Sequence, residues 1–332
     1  TYVHTFYKKE ATAQQPATSK EEGNLVAFSG PDFKATFDKQ SGLLTSYLYK
    51  KHEYILNGQG PRPFFWRAPT DNDYGANLPV RLKAWKEASY QEPKAESFQV
   101  TPGSNATTIK VTYRFPQTDA RWDITYKIYA SGVIKVDNRF VAEGDQAPMI
   151  PRVGLRMQLP ESFTDLTYYG RGPKENYRDR RTSQFIGEYA IPVKDMYEPY
   201  VRPQENNHRT DIYWCALTDK TQRGLLLIAD RTFELNASNY PLESMDSGDT
   251  IDNSAPRTEK THHRHLTDPL PEKMVDLFID YRMMGVGGDD SWGATAHEPY
   301  LIRPGKENAI EYGFSLVPFD KKEDYKYLIR QY

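Results

Sequence analysis

Apolar and polar residues alternate with a period of two along most of the chain from Leu25 onward. The alternation is clearest in six runs: 109–115, 122–128, 134–140, 153–159, 275–281 and 310–316. A period of two places one face of a strand on a core and the other in water, which is typical of antiparallel sheets. The run 223–229 is apolar throughout its middle, which predicts a strand covered on both faces.

Helix signals are sparse by comparison. The best one covers 78–90, where Leu82, Trp85 and Ser89 recur at helical spacing. The chain has 23 Pro and 21 Gly, which separate many short apolar runs. The pattern predicts an all-β protein, a large antiparallel β-sandwich with at most one or two short helices. Strands do not alternate with helices of 10–15 residues, which excludes a (β/α)₈ barrel.

The 332 residues divide unevenly between two regions. Residues 8–24 are polar without periodicity, so we interpret 1–24 as a linker or as the end of a preceding domain. Residues 25–332 are expected to form one sandwich domain. The first residue is not Met and no apolar leader follows it, so we expect the chain to be a piece of a longer protein.

The charge balance excludes several classes of partner. Lys and Arg total 43 and Asp and Glu total 45, which argues against a nucleic-acid partner. No run of 18 apolar residues occurs, so no membrane partner is expected and the protein should be soluble. The one cysteine, Cys215, cannot form a disulfide within the chain.

The sequence THHRHLT is the first candidate for chemistry. His263 and His265 are two residues apart and would face one side of a strand. A zinc site needs further ligands, and no Cys or carboxylate follows at the usual spacing. We therefore predict that His262, His263 and His265 bind no metal and serve structural roles.

The sequence QENNHR is the second candidate. Glu205 and His208 could act as general base and acid on a sugar ring, or could simply hydrogen-bond within a loop.

The sequence RAPTDND is the third candidate. Asp71 and Asp73 follow Arg67 in it, and paired carboxylates can serve glycosidic chemistry. The other interpretation is an Asx-type loop with an Arg67 ion pair, lying near the turn 170–173.

The sequence GVGGDDSWG is the fourth candidate. Its glycines, including Gly287 and Gly288, predict a tight exposed loop that projects Trp292. We expect Asp289, Asp290 and Ser291 to support this loop, with the two carboxylates accepting backbone N–H bonds. An exposed indole can stack on a sugar, whereas the alternative is a tryptophan folded back onto the core.

Five stretches, in this order, give the chain a recognisable character: FFWRAPTDNDYG, YYGRGPKENYRDR, DMYEPYVRPQENNHRTD, THHRHL and MGVGGDDSWG. Together they resemble the C-terminal domain of the large bacterial β-galactosidases of glycoside hydrolase family 2. The resemblance runs from about Leu25 to Leu316. It implies a large antiparallel sandwich of the galactose mutarotase-like superfamily, preceded by an immunoglobulin-like domain.

The resemblance also implies how function is divided. In such enzymes the catalytic glutamates lie on a (β/α)₈ barrel, so no catalytic residue is expected in this chain, which should be inactive alone. One loop completes the active site, and Trp292 matches its sugar-contacting aromatic. The implied partners are a β-galactoside and the parent's barrel domain, with the parent expected to be a homo-oligomer. No cofactor is expected in this chain, although the parent could use divalent or sodium ions. The protein is expected in the bacterial cytoplasm or periplasm.

Two other functions remain open at this point. The chain could be a free-standing mutarotase- or epimerase-like enzyme that uses Glu205 and His208. It could also be an autonomous carbohydrate-binding module.

Overall fold

The computed structural model describes residues 15–142, 144, 149–248, 265–290, 293, 295–303, 305, 307–321 and 323–331. Within them, strands dominate. The strands are β1 (Thr18–Glu22), β2 (Leu25–Ser29), β3 (Phe33–Asp38), β4 (Leu44–Tyr49), β5 (His52–Glu53), β6 (Arg62–Phe64), β7 (Ala95–Thr101), β8 (Thr107–Phe115), β9 (Ala120–Ile128), β10 (Ile134–Ala142), β11 (Arg152–Pro160), β12 (Asp165–Gly172), β13 (Phe185–Pro192), β14 (Arg209–Thr218), β15 (Gly224–Ser238), β16 (Met274–Met283) and β17 (Ile310–Phe319).

The strands form two antiparallel sheets. Strands β1 to β5 follow one another in a five-stranded sheet, and the other twelve form the second sheet. The main path of the second sheet runs β13-β12-β14-β15-β17-β10-β9-β8-β7, while β16 leaves it at β15 and carries β11 and β6.

The register of the large sheet explains the alternation in the sequence. Ile109, Tyr126, Val136 and Phe314 lie opposite one another across β8, β9, β10 and β17, and all four side chains are buried. The next row, shifted by one residue, is Lys110, Thr125, Asp137 and Gly313. A shift of one residue exchanges the two faces of a strand, so this second row lies on the opposite, polar face.

The buried face of the large sheet packs against the small sheet. Phe37 of β3 makes an edge-on contact with Tyr126 of β9, with ring centroids 5.1 Å apart. The Tyr47 hydroxyl of β4 donates to the Gly132 carbonyl at 2.5 Å, between β9 and β10. One apolar core therefore joins the two sheets, as in a β-sandwich.

The all-β sandwich predicted from the sequence is confirmed, with one numerical difference. The described residues contain four short helices instead of one or two: α1 (Asp71–Gly75), α2 (Leu78–Arg81), α3 (Lys83–Tyr90) and α4 (Tyr325–Leu328). The predicted helix at 78–90 is divided into α2 and α3 by Leu82, and Leu82, Trp85 and Ser89 are buried as their spacing suggested. The longest of these helices has eight residues, which is too short to cross a bilayer.

Part of the polar stretch 8–24 forms a strand. Residues 8–14 lie outside the described residues, but Thr18–Glu22 forms β1 and pairs with β2 along its whole length. Ala17 is buried, and its carbonyl accepts a hydrogen bond from the Thr107 hydroxyl at 2.9 Å. All five side chains of β1 are exposed, which is why the sequence shows no apolar periodicity there.

Candidate functional site

Four loops meet at one end of the sandwich and hydrogen-bond to one another. We call them the loop cluster, and they comprise residues 67–76, 175–181, 197–206 and 284–290. Four of the five stretches that carry the family resemblance contribute to this cluster. The cluster is therefore the candidate functional site.

A buried ion pair forms the base of the cluster. Arg67 Nε and Nη2 donate to the Asp73 carboxylate at 2.9 and 2.7 Å, and both side chains are almost fully buried. Asp73 also accepts from the Thr70 backbone N–H, while the Thr70 hydroxyl accepts from the Asp73 N–H. This reciprocal capping begins helix α1. Arg67 thus joins the start of α1 to the protein interior.

The same arginine holds the glycine-rich loop that follows β16. Arg67 Nη1 donates to the Met284 carbonyl at 2.7 Å and Nη2 to the Gly285 carbonyl at 3.1 Å. Asn72 Nδ2, in α1, donates to the Val286 carbonyl at 3.0 Å. Three successive carbonyls of the loop are therefore fixed from one side by the 67–76 segment.

Asp179 fixes the loop from the other side. Its carboxylate accepts from the backbone N–H groups of Val286 and Gly287, at 3.0 and 2.8 Å. A Cβ on Gly285 would lie 2.4 Å from Asp179 Oδ2, so the carboxylate and the loop backbone approach too closely for a side chain. Gly287 and Gly288 have φ of +69° and +115°, which turn the chain outward.

The structure describes the outer part of the loop as far as Asp290. Gly288, Asp289 and Asp290 are exposed as expected. Asp179 accepts the N–H groups of Val286 and Gly287 at the base of the loop, and the Asp289 carboxylate contacts the exposed His297. The predicted substrate contact, Trp292, and its neighbour Ser291 lie outside the described residues.

The two aspartates after Arg67 have different environments. Asp73 is the buried partner of Arg67, whereas Asp71 is 62% exposed and pairs with Arg202 at 3.2 Å. The predicted proximity of this loop to the 170–173 turn is not seen in the hydrogen bonds of the described residues. That turn bonds elsewhere, through Arg171 to Asp211 and through the Pro173 carbonyl to Arg209.

Glu205 belongs to a chain of buried charges beneath the loop cluster. Arg152 Nη2 donates to Glu205 Oε1 at 3.0 Å, and Arg152 Nε lies 3.2 Å from Asp280 Oδ2. All three side chains are fully buried. The Glu205 backbone N–H donates to the Ala68 carbonyl at 3.0 Å, which ties this charge chain to the 67–76 loop.

His208 lies at the other end of this series of buried charged residues, beyond Asp280. Its Nε2 is 2.9 Å from Glu234 Oε2, and its Nδ1 is 4.0 Å from Asp280 Oδ2. The Glu234 carboxylate also accepts from Arg178 and from the Met283 backbone N–H. The imidazole stacks on Tyr177 with ring centroids 5.5 Å apart.

The two buried acids beside His208 titrate in opposite directions. Burial alone would raise the pKa of Glu234, but its hydrogen bond to His208 and the charges of His208 and Arg178 outweigh burial and lower it. The pKa of Asp280 is raised well above its ordinary value, because burial dominates over the nearby charge of Arg152. Negative charge on Glu234 and Glu205 raises it further.

The burial of Glu205 and His208 bears on acid–base chemistry. A general acid or base must come within hydrogen-bonding distance of the substrate. Glu205 is 2% exposed and is bound to Arg152. His208 is 0% exposed and is bound to the Glu234 carboxylate. Both side chains are therefore engaged in internal hydrogen bonds, as in the alternative in which they bond within the structure, and neither is accessible to a substrate in this structure.

The histidine-rich stretch contributes nothing to the described site. His262 and His263 lie outside the described residues, and His265 is exposed, with its backbone N–H donating to Asp268. No group of three or more potential metal ligands occurs in the part of the chain that the structure describes.

Sequence reasoning missed Asp179, Asp280 and Glu234. Asp179 lies within the stretch YYGRGPKENYRDR, but nothing in its local sequence marks it as the acceptor for a loop more than a hundred residues away. Asp280 and Glu234 lie in strands whose alternation predicts which face of the sheet each side chain is on. The alternation does not predict which residue each carboxylate binds.

Comparison with solved structures places the fold among galactose 1-epimerase-like sandwiches. The galactose 1-epimerase of Lactobacillus acidophilus aligns with a TM-score of 0.52 over 93% of this chain and 99% of its own, at 6% sequence identity. At that identity the similarity concerns the fold alone.

Sequence comparison is more specific. The family model described as "Beta galactosidase small chain" matches residues 29–316, so the chain belongs to that family. A β-galactosidase of Priestia megaterium is 33% identical over 87% of this chain, and one of Streptococcus thermophilus is 28% identical over 96%. The chain spans only 26% and 29% of the length of these two relatives.

Proposed function

We propose that this chain is the small-chain domain of a larger β-galactosidase of glycoside hydrolase family 2, which hydrolyses terminal β-D-galactosides. The domain completes the active site with the loop that begins at Gly285 and carries Trp292. The observation that carries this proposal is the fixation of that loop at its base, by Arg67, Asn72 and Asp179, while its outer part is exposed. A rigid base with an exposed tip suits a loop that completes a pocket on another domain.

The chemistry of galactose suits an indole at the tip. The axial 4-hydroxyl leaves the hydrogens at C3, C4 and C5 as one apolar patch on a face of the ring. Tryptophan offers a wide, rigid surface with a negative π face toward such polarised C–H bonds. This contact orients the sugar without fixing its other hydroxyls.

The reaction itself is assigned to the parent's catalytic barrel. Retaining hydrolysis requires two carboxyl groups about 5–5.5 Å apart with distinct roles. The buried carboxylates of Asp73, Glu205 and Glu234 are each bound to an arginine, so they serve the structure. We therefore propose that the isolated chain is inactive and that in the parent it packs against the barrel domain. We also propose that the parent is a homo-oligomer and that any ions are bound by the parent and not by this domain.

Steady-state kinetics of the whole parent enzyme test this function. Trp292→Ala should raise KM for a nitrophenyl-galactoside, by the equivalent of roughly 1–3 kcal/mol for one large apolar contact. Since the contact is present in ground state and transition state alike, kcat should fall less than KM rises. Tyr327→Ala is the matched control, because Tyr327 is an exposed aromatic on α4. An unchanged KM in Trp292→Ala would contradict the proposal.

A further inference from the structure

A large groove lies on the polar face of the twelve-stranded sheet, opposite the core. Its volume is about 820 Å³, within the range of ligand-binding clefts. Strands β8, β9, β10, β17, β15 and β16 all contribute lining residues. One lining row is the polar row already described, Lys110, Thr125, Asp137 and Gly313.

Gly313 lies in the lining of this groove and contributes no side chain to it. A Cβ at Gly313 would lie 2.4 Å from Asp230 Oδ2 and 2.8 Å from Lys135 Nζ. Lys135 lies between the carboxylates of Asp137 and Asp230 and binds both. The floor is thus a cluster of charged side-chain ends packed closely against the Gly313 backbone.

The carboxylates that line the groove already have cationic partners. Six acidic residues contribute to the lining, and each is within ion-pair distance of a Lys or Arg: Asp123 with Arg121, Asp137 with Lys135, Asp211 with Arg171, Asp230 with Lys135, Glu234 with Arg178, and Glu311 with Arg139. Lys135 is shared by two of them, and Lys127 also lies 3.5 Å from Asp137, so at least six cations are available to compensate the six carboxylates.

Three cations of the lining have no such compensation. Lys110, Arg231 and Arg282 form no ion pair with a carboxylate of the described residues. The Arg282 guanidinium lies 5.0 Å from the ring centroid of Tyr281, also in the groove, which orients it but leaves its N–H donors available. The groove thus has uncompensated positive charge in a chain whose formal net charge is −2.

We propose that this groove binds an acidic oligosaccharide, one that carries carboxylate or sulfate groups. Paired carboxylates such as Asp137 and Asp230 retain acceptor sites for sugar hydroxyls, and the three free cations match the anionic groups. A DNA backbone offers these carboxylates no hydroxyl donors, and its closely spaced phosphates outnumber the three free cations. The mixture of acceptors and free cations therefore favours a ligand with many hydroxyls and few charges.

The spacing of the cations indicates an oligomer. Lys110 on β8 and Arg231 on β15 are separated by four strand steps along the path β8-β9-β10-β17-β15. At the usual distance between neighbouring strands this corresponds to roughly 19 Å. A single sugar unit is too short to contact both cations, whereas a chain of several units can.

Titration calorimetry on the whole protein that carries this domain tests the proposal. The probes are an oligogalacturonate, a sulfated galacto-oligosaccharide and a neutral galacto-oligosaccharide of the same length. We expect at least one acidic probe to bind, with an affinity that decreases as salt is added, and the neutral probe to bind roughly tenfold more weakly or not at all. Equal binding of the neutral probe, no binding of either acidic one, or equally tight binding of a short DNA duplex would overturn the proposal.

Variants locate the binding to this groove. Arg231→Gln and Arg282→Gln should each weaken the acidic probe roughly tenfold, as expected for the loss of one charged hydrogen-bonding group. Lys34→Gln on β3 is the control, because Lys34 is exposed on the other sheet. Thermal melting verifies that the variants fold, and unchanged affinity in both arginine variants would refute the assignment. Binding is measured without turnover, so the result is independent of Trp292 and of the proposed galactosidase role.

Discussion

Arg67 and Asp73 form a bidentate ion pair, with N–O distances of 2.9 and 2.7 Å, in which the guanidinium is 2% exposed and the carboxylate 7%. The pair joins helix α1 to the loop after β16. It therefore connects stability of the sandwich to the geometry of the candidate site.

The two neighbouring aspartates provide a direct test of this pair. Asp73→Ala leaves the buried Arg67 charge without its carboxylate, so the free energy of unfolding should fall by about 3–5 kcal/mol. Asp71→Ala, in the same loop, removes an exposed partner of Arg202 and should cost about 1 kcal/mol or less. Urea unfolding of the two variants measures both. Equal losses would show that the buried pair is not the stabilising one.

Asp179 is expected to act as a positioning residue for the glycine-rich loop. Asp179→Ala leaves the N–H groups of Val286 and Gly287 without their acceptor, so the loop should lose its fixed base. In the parent enzyme KM should then rise in the same direction as in Trp292→Ala, and the double variant should be less impaired than the two changes added together. Asp195→Ala, at a 54% exposed carboxylate, is the control. Strictly additive effects would contradict a shared loop.

Asp280 should make stability depend on pH. Its pKa is raised in the folded state, chiefly by burial, so the folded protein binds a proton more tightly than the unfolded chain. Its contribution is therefore most favourable below the unfolded pKa, about 3.9, and is lost as pH rises toward the folded value. Asp280→Asn removes this dependence, so the variant should gain stability relative to the original chain as pH increases above about 4.

Urea unfolding at a series of pH values checks this expectation. Asp71→Asn, at an exposed site, supplies the comparison and should track the original chain throughout. A difference between Asp280→Asn and the original chain that stays constant with pH would show that Asp280 does not change its protonation on folding.

Cys215 should report global unfolding. It lies on β14 with no exposed surface, and burial raises the pKa of its thiol, so little thiolate forms. We expect no alkylation of the Cys215 peptide in the native protein and complete alkylation in urea, as measured by mass spectrometry. Because Asp73→Ala destabilises the fold, it should label faster than Asp71→Ala. Rapid native labelling would indicate local opening at β14.

Alternation predicted the sheets well because one face of most strands is buried. Ile109, Tyr126 and Val136 form one buried row, and a shift of one residue would have exposed all three. Strand β1 was missed for the converse reason, since neither of its faces is covered. Helix α1 has only five residues, and its one local signal is the capping spacing of Thr70 and Asp73.

The partners within the site could not be predicted from the sequence. Asp71 and Asp73 have the same chemistry and lie two residues apart, and only the folded position of Arg67 decides which of them is buried. The pairing of Asp179 with Gly287 and of Arg152 with Asp280 joins segments that are distant in sequence. Tertiary packing determines such contacts, and they leave no local periodicity.

Strand β1 also has a consequence for self-association. Its exposed side chains include Lys20, Glu21 and Glu22, and it covers the edge of β2, which contributes Val26 and Phe28 to the core. Charged residues on an edge strand discourage pairing with another molecule, whereas an apolar edge invites it. A variant that lacks the residues before Leu25 would present β2 as the edge of the small sheet. Strand β1 is therefore expected to reduce edge-to-edge association of the small sheet.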